Sequence, residues 1–196
     1  KGFTFDMGPS WYWMPDVFEK YFNDFDKNIE DYLKLKRLDP SYKVFFDDGH
    51  IDVPANYQEL KDLFESMEEG SGDNLDLFIS QAEKKYKVGI QNLVYKPGLS
   101  IKEFIDRDTI TGVFQLDIFK SMHSHIRKYF KNEKIIKLLE FPILFLGATP
   151  KNTPALYSLM NFADIKLGTW FPEGGMYKIV EAMVELAKEK GVKFYP

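Results

Sequence analysis

The stretch Gly168–Val184 constrains the fold more than any other part of the chain, because it combines three local signals in order. A strand pattern ends at Phe171, the pair Gly174-Gly175 predicts a turn, and a helical pattern follows. Apolar residues recur there at three- and four-residue intervals, at Met176, Ile179, Val180, Met183, Val184 and Ala187. Such spacing places one apolar stripe on a helix. Gly191 then predicts the helix end, and Val192–Tyr195 predicts a short strand.

Two interpretations of the glycine pair stay open at this point. Backbone N–H groups at a helix N-terminus favour an anion or the polar edge of a cofactor. The other interpretation is a tight turn that binds nothing, because paired glycines begin many helices that have no ligand.

The composition excludes several classes of function. The 196 residues are 44% apolar and 16% aromatic, which is enough for one sizeable core or two small ones. A net charge of -4 gives no overall attraction to nucleic acid, so no nucleic-acid partner is expected. The absence of cysteine excludes disulfides, thiolate catalysis and cysteine metal sites, and is compatible with a cytoplasmic protein. No apolar run has the length of a membrane span.

Helical patterns fill the middle of the chain, and strand patterns lie toward its ends. Strands are predicted at Phe3–Phe5, on both sides of Asp48-Gly49, and at Leu167–Phe171. A two-residue turn at Asp48-Gly49 would pair Phe46 with Ile51 and Val44 with Val53. Helical patterns begin at Pro15 and cover 29–35, 56–67, 73–94, 100–105, 113–130, 135–146 and 154–165. The predicted fold is α+β, a small, mostly antiparallel or mixed sheet (1–55 and 166–196) with an inserted helical lobe (56–165).

Motifs for common catalytic chemistries are missing from the sequence. None of the thirteen glycines forms the dinucleotide-binding fingerprint, and no phosphate-binding loop or zinc-protease motif occurs. His123 and His125 would point apart on a helix, so a solvated face is favoured over a metal pair and no metal site is predicted. His50 lies beside Asp47 and Asp52, where cross-strand surface pairing is the simpler interpretation.

A basic segment precedes a very apolar one. Its cations are Lys120, Arg127, Lys128, Lys131, Lys134 and Lys137. The run Leu138–Leu146 follows at once, and lysine stems beside apolar surface suit an anionic membrane surface. A solvated face beside a buried helix is the alternative, and the sequence leaves both open.

The two ends of the chain resemble a known family. Gly2-Phe-Thr-Phe-Asp-Met-Gly-Pro-Ser10, followed by Met14-Pro15 and an aromatic helix, resembles the segment after the FAD-binding motif of bacterial-type phytoene desaturases. These are carotenoid desaturases of the flavin amine oxidase superfamily. Trp170-Phe-Pro-Glu-Gly-Gly-Met176 is similar to that family's W-[FY]-P-x-G-G motif. The resemblance covers essentially the whole chain and implies a substrate-binding region whose dinucleotide-binding domain is missing.

The resemblance also implies roles for individual residues. The parent protein would use FAD to take hydride from an apolar polyene such as phytoene, as a peripheral membrane enzyme in the cytoplasm. Asp6, Gly8, Pro9 and Ser10 would approach the flavin or the substrate end, with Pro172, Gly174 and Gly175 facing it. Trp11, Trp13, Trp170 and Phe171 would line the substrate tunnel. Glu103 matches an acidic position of the family, but Asp106 stands where an arginine is expected, so Glu103 receives only a weak catalytic role.

Three further expectations follow. Lys1 is not an initiator residue, so the chain is expected to be an inactive piece of a longer protein that does not hold FAD by itself. A retinol saturase-like or amine-oxidising flavoenzyme is the alternative within the superfamily. A lipid- or polyene-binding module without redox chemistry is the alternative from another class.

Overall fold

The computed structural model describes residues 2–3, 5–95, 117 and 119–195, and the side chains of residues 91–93 are outside this description. The chain divides into two compact units. Unit 1 comprises residues 1–55 and 167–196, and unit 2 comprises residues 56–166. The mixture of helices with small sheets agrees with the predicted α+β class.

The described residues of unit 1 form four short strands and two helices. The helices are α1, Pro15–Asn23, and one near the end of the chain, Tyr177–Glu189, with a 3-10 turn at Ile29–Asp31. The strands are β1, Leu35–Arg37, β2, Tyr42–Phe46, β3, Gly49–Val53, and β4, Trp170–Pro172. They form two antiparallel pairs, β1 with β4 and β2 with β3. The sequence predicted one sheet, whereas the described residues form two separate two-stranded sheets.

The core of unit 1 brings the two ends of the chain together. Tyr12 and Trp170 exchange backbone hydrogen bonds of 2.8 and 3.0 Å, which fix the aromatic segment beside β4. Around Tyr12 lie the other buried core residues Phe22, Ile29, Leu33, Ala182 and Leu186. The last two come from the Tyr177–Glu189 helix, which was predicted from its apolar spacing. Neither Ala182 nor Leu186 was in the predicted apolar stripe, and Val180 of that stripe is exposed.

The hairpin forms at the predicted place but in another register. Phe46 pairs with Gly49 and Val44 with Ile51, so the two turn residues are Asp47 and Asp48. The predicted pairing of Phe46 with Ile51 is therefore wrong by two residues. Because side chains alternate with a period of two, this shift leaves the apolar side chains on the same face.

Three other local predictions for unit 1 are wrong. Phe3 and Phe5 lie outside any strand, and Val192–Tyr195 forms no strand after the final helix. The helical pattern at 29–35 gives only a single 3-10 turn, and Leu35–Arg37 instead becomes β1 by pairing with β4. A pairing across such a sequence distance overrides the local preference.

Unit 2 is helical. Its longer helices are α2, Tyr57–Met67, α3, Ser71–Tyr86, which continues as a π-helix at Lys87–Leu93, and α5, Glu133–Glu140. Shorter elements are α4, Met122–Ile126, the 3-10 segments Phe141–Leu146 and Ala155–Ser158, α6, Leu159–Phe162, and a π-helical end at Ala163–Leu167. The final helix of unit 1, Tyr177–Glu189, is accordingly α7.

Helix ends in unit 2 follow side-chain chemistry. Asn56 accepts hydrogen bonds from the N–H groups of Gln58 and Glu59, the N-cap predicted from the sequence. Asp73 was predicted to cap α3, but α3 begins at Ser71. The Glu65 carboxylate accepts from the N–H groups of Gly70 and Gly72 instead.

Two longer helical predictions are shortened in the structure. Of the residues predicted as one helix over 113–130, only Met122–Ile126 is helical among those described. The 135–146 pattern becomes α5 and a 3-10 segment that ends at Gly147, with a φ of 62°. Pro142 explains that change, because a proline cannot continue the α-helical hydrogen bonding.

Candidate functional site

The glycine turn before α7 is closed by a carboxylate from the other end of the chain. The Asp6 Oδ1 atom accepts a hydrogen bond of 3.1 Å from the Met176 N–H. Gly174 and Gly175 have φ values of 92° and 100°, which glycine adopts readily. A Cβ atom on Gly175 would lie 3.3 Å from both Asp6 carboxylate oxygens. The backbone N–H that could bind an anion at this turn therefore binds the protein's own Asp6 carboxylate.

Several of the predicted cofactor-binding residues gather around one surface cleft, here called the Asp6 cleft. It has a volume of about 690 Å³. Its lining residues are Phe5, Asp6, Met7, Pro9, Gly174, Met176, Tyr177, Lys178, Ile179, Val180 and Glu181. Gly8 and Ser10 are exposed beside it, whereas Pro172 is buried at the end of β4. The structure therefore brings Asp6, Pro9 and Gly174 together and places Pro172 in the interior.

The predicted aromatic tunnel residues lie on the two segments that are joined at Tyr12 and Trp170. Trp13 donates from its indole nitrogen to the Thr169 hydroxyl at 2.9 Å, and its ring lies 5.8 Å from that of Trp11. Trp170 donates to the Leu167 carbonyl at 2.8 Å, and Phe171 is half-buried in β4. Each tryptophan indole is thereby fixed by a hydrogen bond or a ring contact.

Trp170 lines a second cleft of unit 1, here called the Trp170 cleft. Its volume is about 530 Å³. The other lining residues are Pro15, Glu19, Ile29, Glu30, Leu33, Lys34, Leu35 and Glu173. Both volumes lie in the range of small-molecule sites, which are mostly apolar with a few polar groups.

Glu103, the predicted weak catalytic residue, lies outside the described residues. The predicted basic surface can be followed in unit 2. Lys120 is paired with Asp117 at 2.7 Å, and Arg127 with Glu133 at 2.8 Å. Lys128, Lys131 and Lys137 are exposed and Lys134 is half-buried. Much of the apolar run is core, since only Leu144–Leu146 is exposed while the buried part includes Leu138, Leu139 and Ile143.

Sequence reasoning missed a buried polar cluster in unit 2. Lys85 is 2% exposed, and its Nζ atom lies 3.2 Å from the Asp117 carboxylate, 3.1 Å from the Ala155 carbonyl and 3.4 Å from His125 Nε2. Burial lowers the pKa of Lys85, and the nearby Asp117 offsets this only in part. The interruption of the α3 apolar stripe by a lysine is the signal that could have found it.

His125 is 1% exposed, so the predicted solvated face is wrong for this residue. Desolvation, followed by the field of Lys85, lowers the pKa of His125 to about 4. Because an ammonium group only donates, Nε2 is the acceptor and the proton of the neutral ring belongs on Nδ1. That Nδ1 atom has no hydrogen-bond partner within the described part of the chain.

Metal chemistry and membrane spanning find no support in the part of the chain that the structure describes. No group of three or more histidine, aspartate or glutamate side chains there could hold a metal ion. None of the described helices is long and apolar enough to cross a membrane.

Comparison with known proteins gives consistent results. A carotenoid 3,4-desaturase from Haloarcula japonica is 40% identical over 195 residues, covering 98% of this chain and 39% of the relative. A zeta-carotene-forming phytoene desaturase from Myxococcus xanthus is 32% identical, covering 99% of this chain and 38% of its own length. A 4,4'-diapophytoene desaturase from Staphylococcus aureus is 36% identical, covering 97% and 38%.

The chain thus spans less than two fifths of the length of these curated relatives. The family model described as flavin containing amine oxidoreductase matches residues 1–195. The resemblance of the two terminal motifs is thereby confirmed at the level of the family. The chain belongs to the flavin containing amine oxidoreductase family.

Proposed function

We propose that the chain is part of an FAD-dependent oxidoreductase that desaturates a carotenoid polyene such as phytoene. The observation that carries the proposal is the set of three relatives named as desaturases, which match nearly the whole chain at 32–40% identity. The family also takes its name from amine oxidation, but these relatives favour the polyene.

The Asp6 cleft is the part of unit 1 that best suits the flavin. Its walls combine apolar side chains with the Asp6 carboxylate, Lys178 and Gly174, whose missing Cβ leaves room for the Lys178 side chain. A bound flavin would accept the hydride that the substrate loses. We assign Asp6, Pro9 and Gly174 to positioning the flavin, with Gly8, Ser10 and Gly175 beside them and the Met176 N–H holding the Asp6 carboxylate.

The substrate would be held by apolar and aromatic surface rather than by acids and bases. The Trp170 cleft supplies such surface through Ile29, Leu33, Leu35 and the indole ring. We assign Trp170 to the substrate wall and Trp11, Trp13 and Phe171 to its support. Exclusion of water and orientation of the polyene are then the contributions of these residues.

Two parts of the proposal concern the chain as a piece of the parent protein. The sequence lacks a glycine fingerprint, so we propose that this piece alone neither holds FAD nor catalyses the reaction. We also propose that the parent works in the cytoplasm at a membrane surface, where an apolar polyene dissolves.

The test uses the full-length parent protein, purified with FAD and supplied with phytoene in detergent or vesicles. Desaturation lengthens the conjugated system, so the expected result is an absorption band that moves to longer wavelength as substrate is consumed. Conversion of an amine without any change in the polyene would contradict the proposal. A separate preparation of residues 1–196 with FAD should stay colourless, and a bound yellow flavin would refute the second part.

The Trp170 assignment has its own variant pair. Trp170→Phe keeps an aromatic wall, whereas Trp170→Ala removes it, so we expect the KM for phytoene to rise more in the alanine variant while FAD content stays constant. Equal KM values in the two variants would remove Trp170 from the substrate wall.

A further inference from the structure

Unit 2 contains a shallow cleft, here called the Lys120 cleft. It is formed by residues 119–121 and Lys151–Pro154 and has a volume of about 220 Å³. Backbone hydrogen bonds hold its two sides together: Ala155 N donates to the Lys120 carbonyl at 2.7 Å, and Met122 N donates to the Thr153 carbonyl at 2.8 Å. The cleft is therefore built from paired backbone segments.

Among the described residues beside this cleft, positive charge exceeds negative charge. The Asp117 carboxylate accepts from Lys120 at 2.7 Å and also lies 3.2 Å from the buried Lys85. The pKa of Lys128 is lowered, mainly by partial desolvation and then by the neighbouring Lys120 ammonium group. The Asp117 carboxylate is thus the counter-charge for the ammonium groups of Lys85, Lys120 and Lys128. A further anion would therefore be stabilised here.

Two more features suit a phosphate bound from the solvent side. Lys151 is exposed and lines the cleft opposite Lys120, and Asn152 next to it carries an amide donor. A phosphate oxygen is a strong acceptor for ammonium and amide N–H groups.

Exposed apolar side chains beside the cleft favour the phosphate of a lipid headgroup over a free phosphate ion. Phe119 lines the cleft and is 92% exposed, and Leu144–Leu146 is exposed on the 3-10 segment that precedes the loop to Lys151. An aromatic ring beside lysines is the arrangement that anchors a protein at the boundary between lipid headgroups and acyl chains. A free phosphate ion would make no use of Phe119.

We propose that the Lys120 cleft binds the phosphate of an anionic lipid headgroup, with Phe119 entering the bilayer surface beside it. Of the basic residues predicted from the sequence, the proposed lipid-binding surface keeps Lys120 and Lys128. It also includes Lys151 and Phe119, which the sequence did not indicate. It rests on the proposed function only in that a polyene substrate dissolves in lipid. Vesicle binding needs no turnover, so the two proposals fail in separate experiments.

The experiment is co-sedimentation of the full-length, FAD-loaded parent protein with phosphatidylcholine vesicles that contain 30% phosphatidylglycerol. We expect Lys151→Gln to weaken binding about 5-fold and Lys120→Gln/Lys151→Gln about 30-fold. Phe119→Ser should weaken it about 5-fold without changing its salt dependence. The matched control Lys137→Gln removes one exposed lysine outside the cleft and should change binding less than 2-fold.

The control for folding is an unchanged thermal transition. Lys151→Gln is the variant that decides, because Lys151 forms no ion pair with any residue that the structure describes, whereas Lys120 also holds Asp117. Equal losses in Lys137→Gln and Lys151→Gln would overturn the proposal. So would release of the protein from vesicles by about 10 mM inorganic phosphate at constant ionic strength, since that result would identify a site for free phosphate.

Discussion

Unit 1 buries aromatic and aliphatic side chains around Tyr12, whereas unit 2 places a lysine and a histidine in its interior. In unit 1, hydrogen bonds of backbone groups join the two ends of the chain. Tyr12 and Trp170 bond through their backbones, and the Met176 N–H donates to the Asp6 carboxylate. In unit 2, helix packing encloses Lys85 and His125 with the carboxylate of Asp117. We therefore expect unit 1 to respond to changes in backbone geometry and unit 2 to changes in charge.

The largest expected effect is the loss of the carboxylate in unit 2. Asp117→Asn leaves the Lys85 ammonium group buried without its counter-charge, which should cost about 3 kcal/mol of unfolding free energy. Urea denaturation measures the change. The control is Asp24→Asn in unit 1, which removes an exposed helical ion pair and should cost less than about 0.5 kcal/mol.

A second variant tests whether the loss of stability in Asp117→Asn comes from the unpaired charge of Lys85. Lys85→Met in the Asp117→Asn background removes the buried ammonium group and should recover much of the lost stability. If the double variant were as unstable as Asp117→Asn, the loss would come from packing and the comparison with unit 1 would fail.

Low pH should lower the stability of unit 2 more than that of unit 1, because His125 is buried in unit 2. Its pKa is about 4 in the folded chain and close to 6.5 when unfolded, so the unfolded chain binds a proton first as the pH falls. The stability from the neutral ring is complete above pH 6.5 and is lost as the pH falls toward 4. Lys85, Lys120 and Lys128 oppose its protonation and Asp117 favours it, and the net loss should reach about 2 kcal/mol by pH 5.

The measurement is unfolding free energy at pH 7, 5.5 and 4. His125→Leu should flatten the dependence over this range, while His50→Gln, on the exposed hairpin of unit 1, should leave it unchanged. A steep dependence that persists in His125→Leu would assign the acid sensitivity to another group.

The smallest expected effect is that of the Asp6 contact on the backbone of unit 1, about 1 kcal/mol beyond a matched control. Gly175→Ala places a Cβ atom at a φ of 100° and 3.3 Å from both oxygens of Asp6, and should cost about 2 kcal/mol. Gly191→Ala is the matched control, because its φ is 85° and no atom lies within 4 Å of the added Cβ, so it should cost about 1 kcal/mol. Equal losses would mean that the Asp6 contact contributes nothing.

The same division between near and distant contacts explains what could be predicted. The Asn56 cap and the helix α7 depend on residues within one helix, and both were predicted from the sequence, although the most buried residues of α7, Ala182 and Leu186, were not in the predicted stripe. Strand β1 exists because Leu35–Arg37 meets β4 far along the chain, and no local pattern indicates that pairing. The hairpin lies between these cases: it was predicted, but its turn was placed at Asp48-Gly49 and is formed by Asp47-Asp48.

The candidate site shows the same limit. Asp6, Pro9 and Gly174 were proposed together from two motifs and lie around one cleft, because the motifs lie on segments that pair in unit 1. The hydrogen bond from Met176 to Asp6 and the ion pair of Lys85 with Asp117 were not predicted, since each joins residues that are neighbours only in the fold.

The bond between Asp6 and Met176, which joins residues 170 positions apart, also bears on the order of events during protein synthesis. Residues 56–166 form one continuous stretch, so their contacts can be made as soon as that stretch leaves the ribosome. Unit 1 has to wait for β4 and α7, and its N-terminal aromatic segment stays uncovered meanwhile. We expect nascent chains ending near residue 166 to protect Phe78 but not Tyr12 from proteolysis, as pulse-labelled translation intermediates would show.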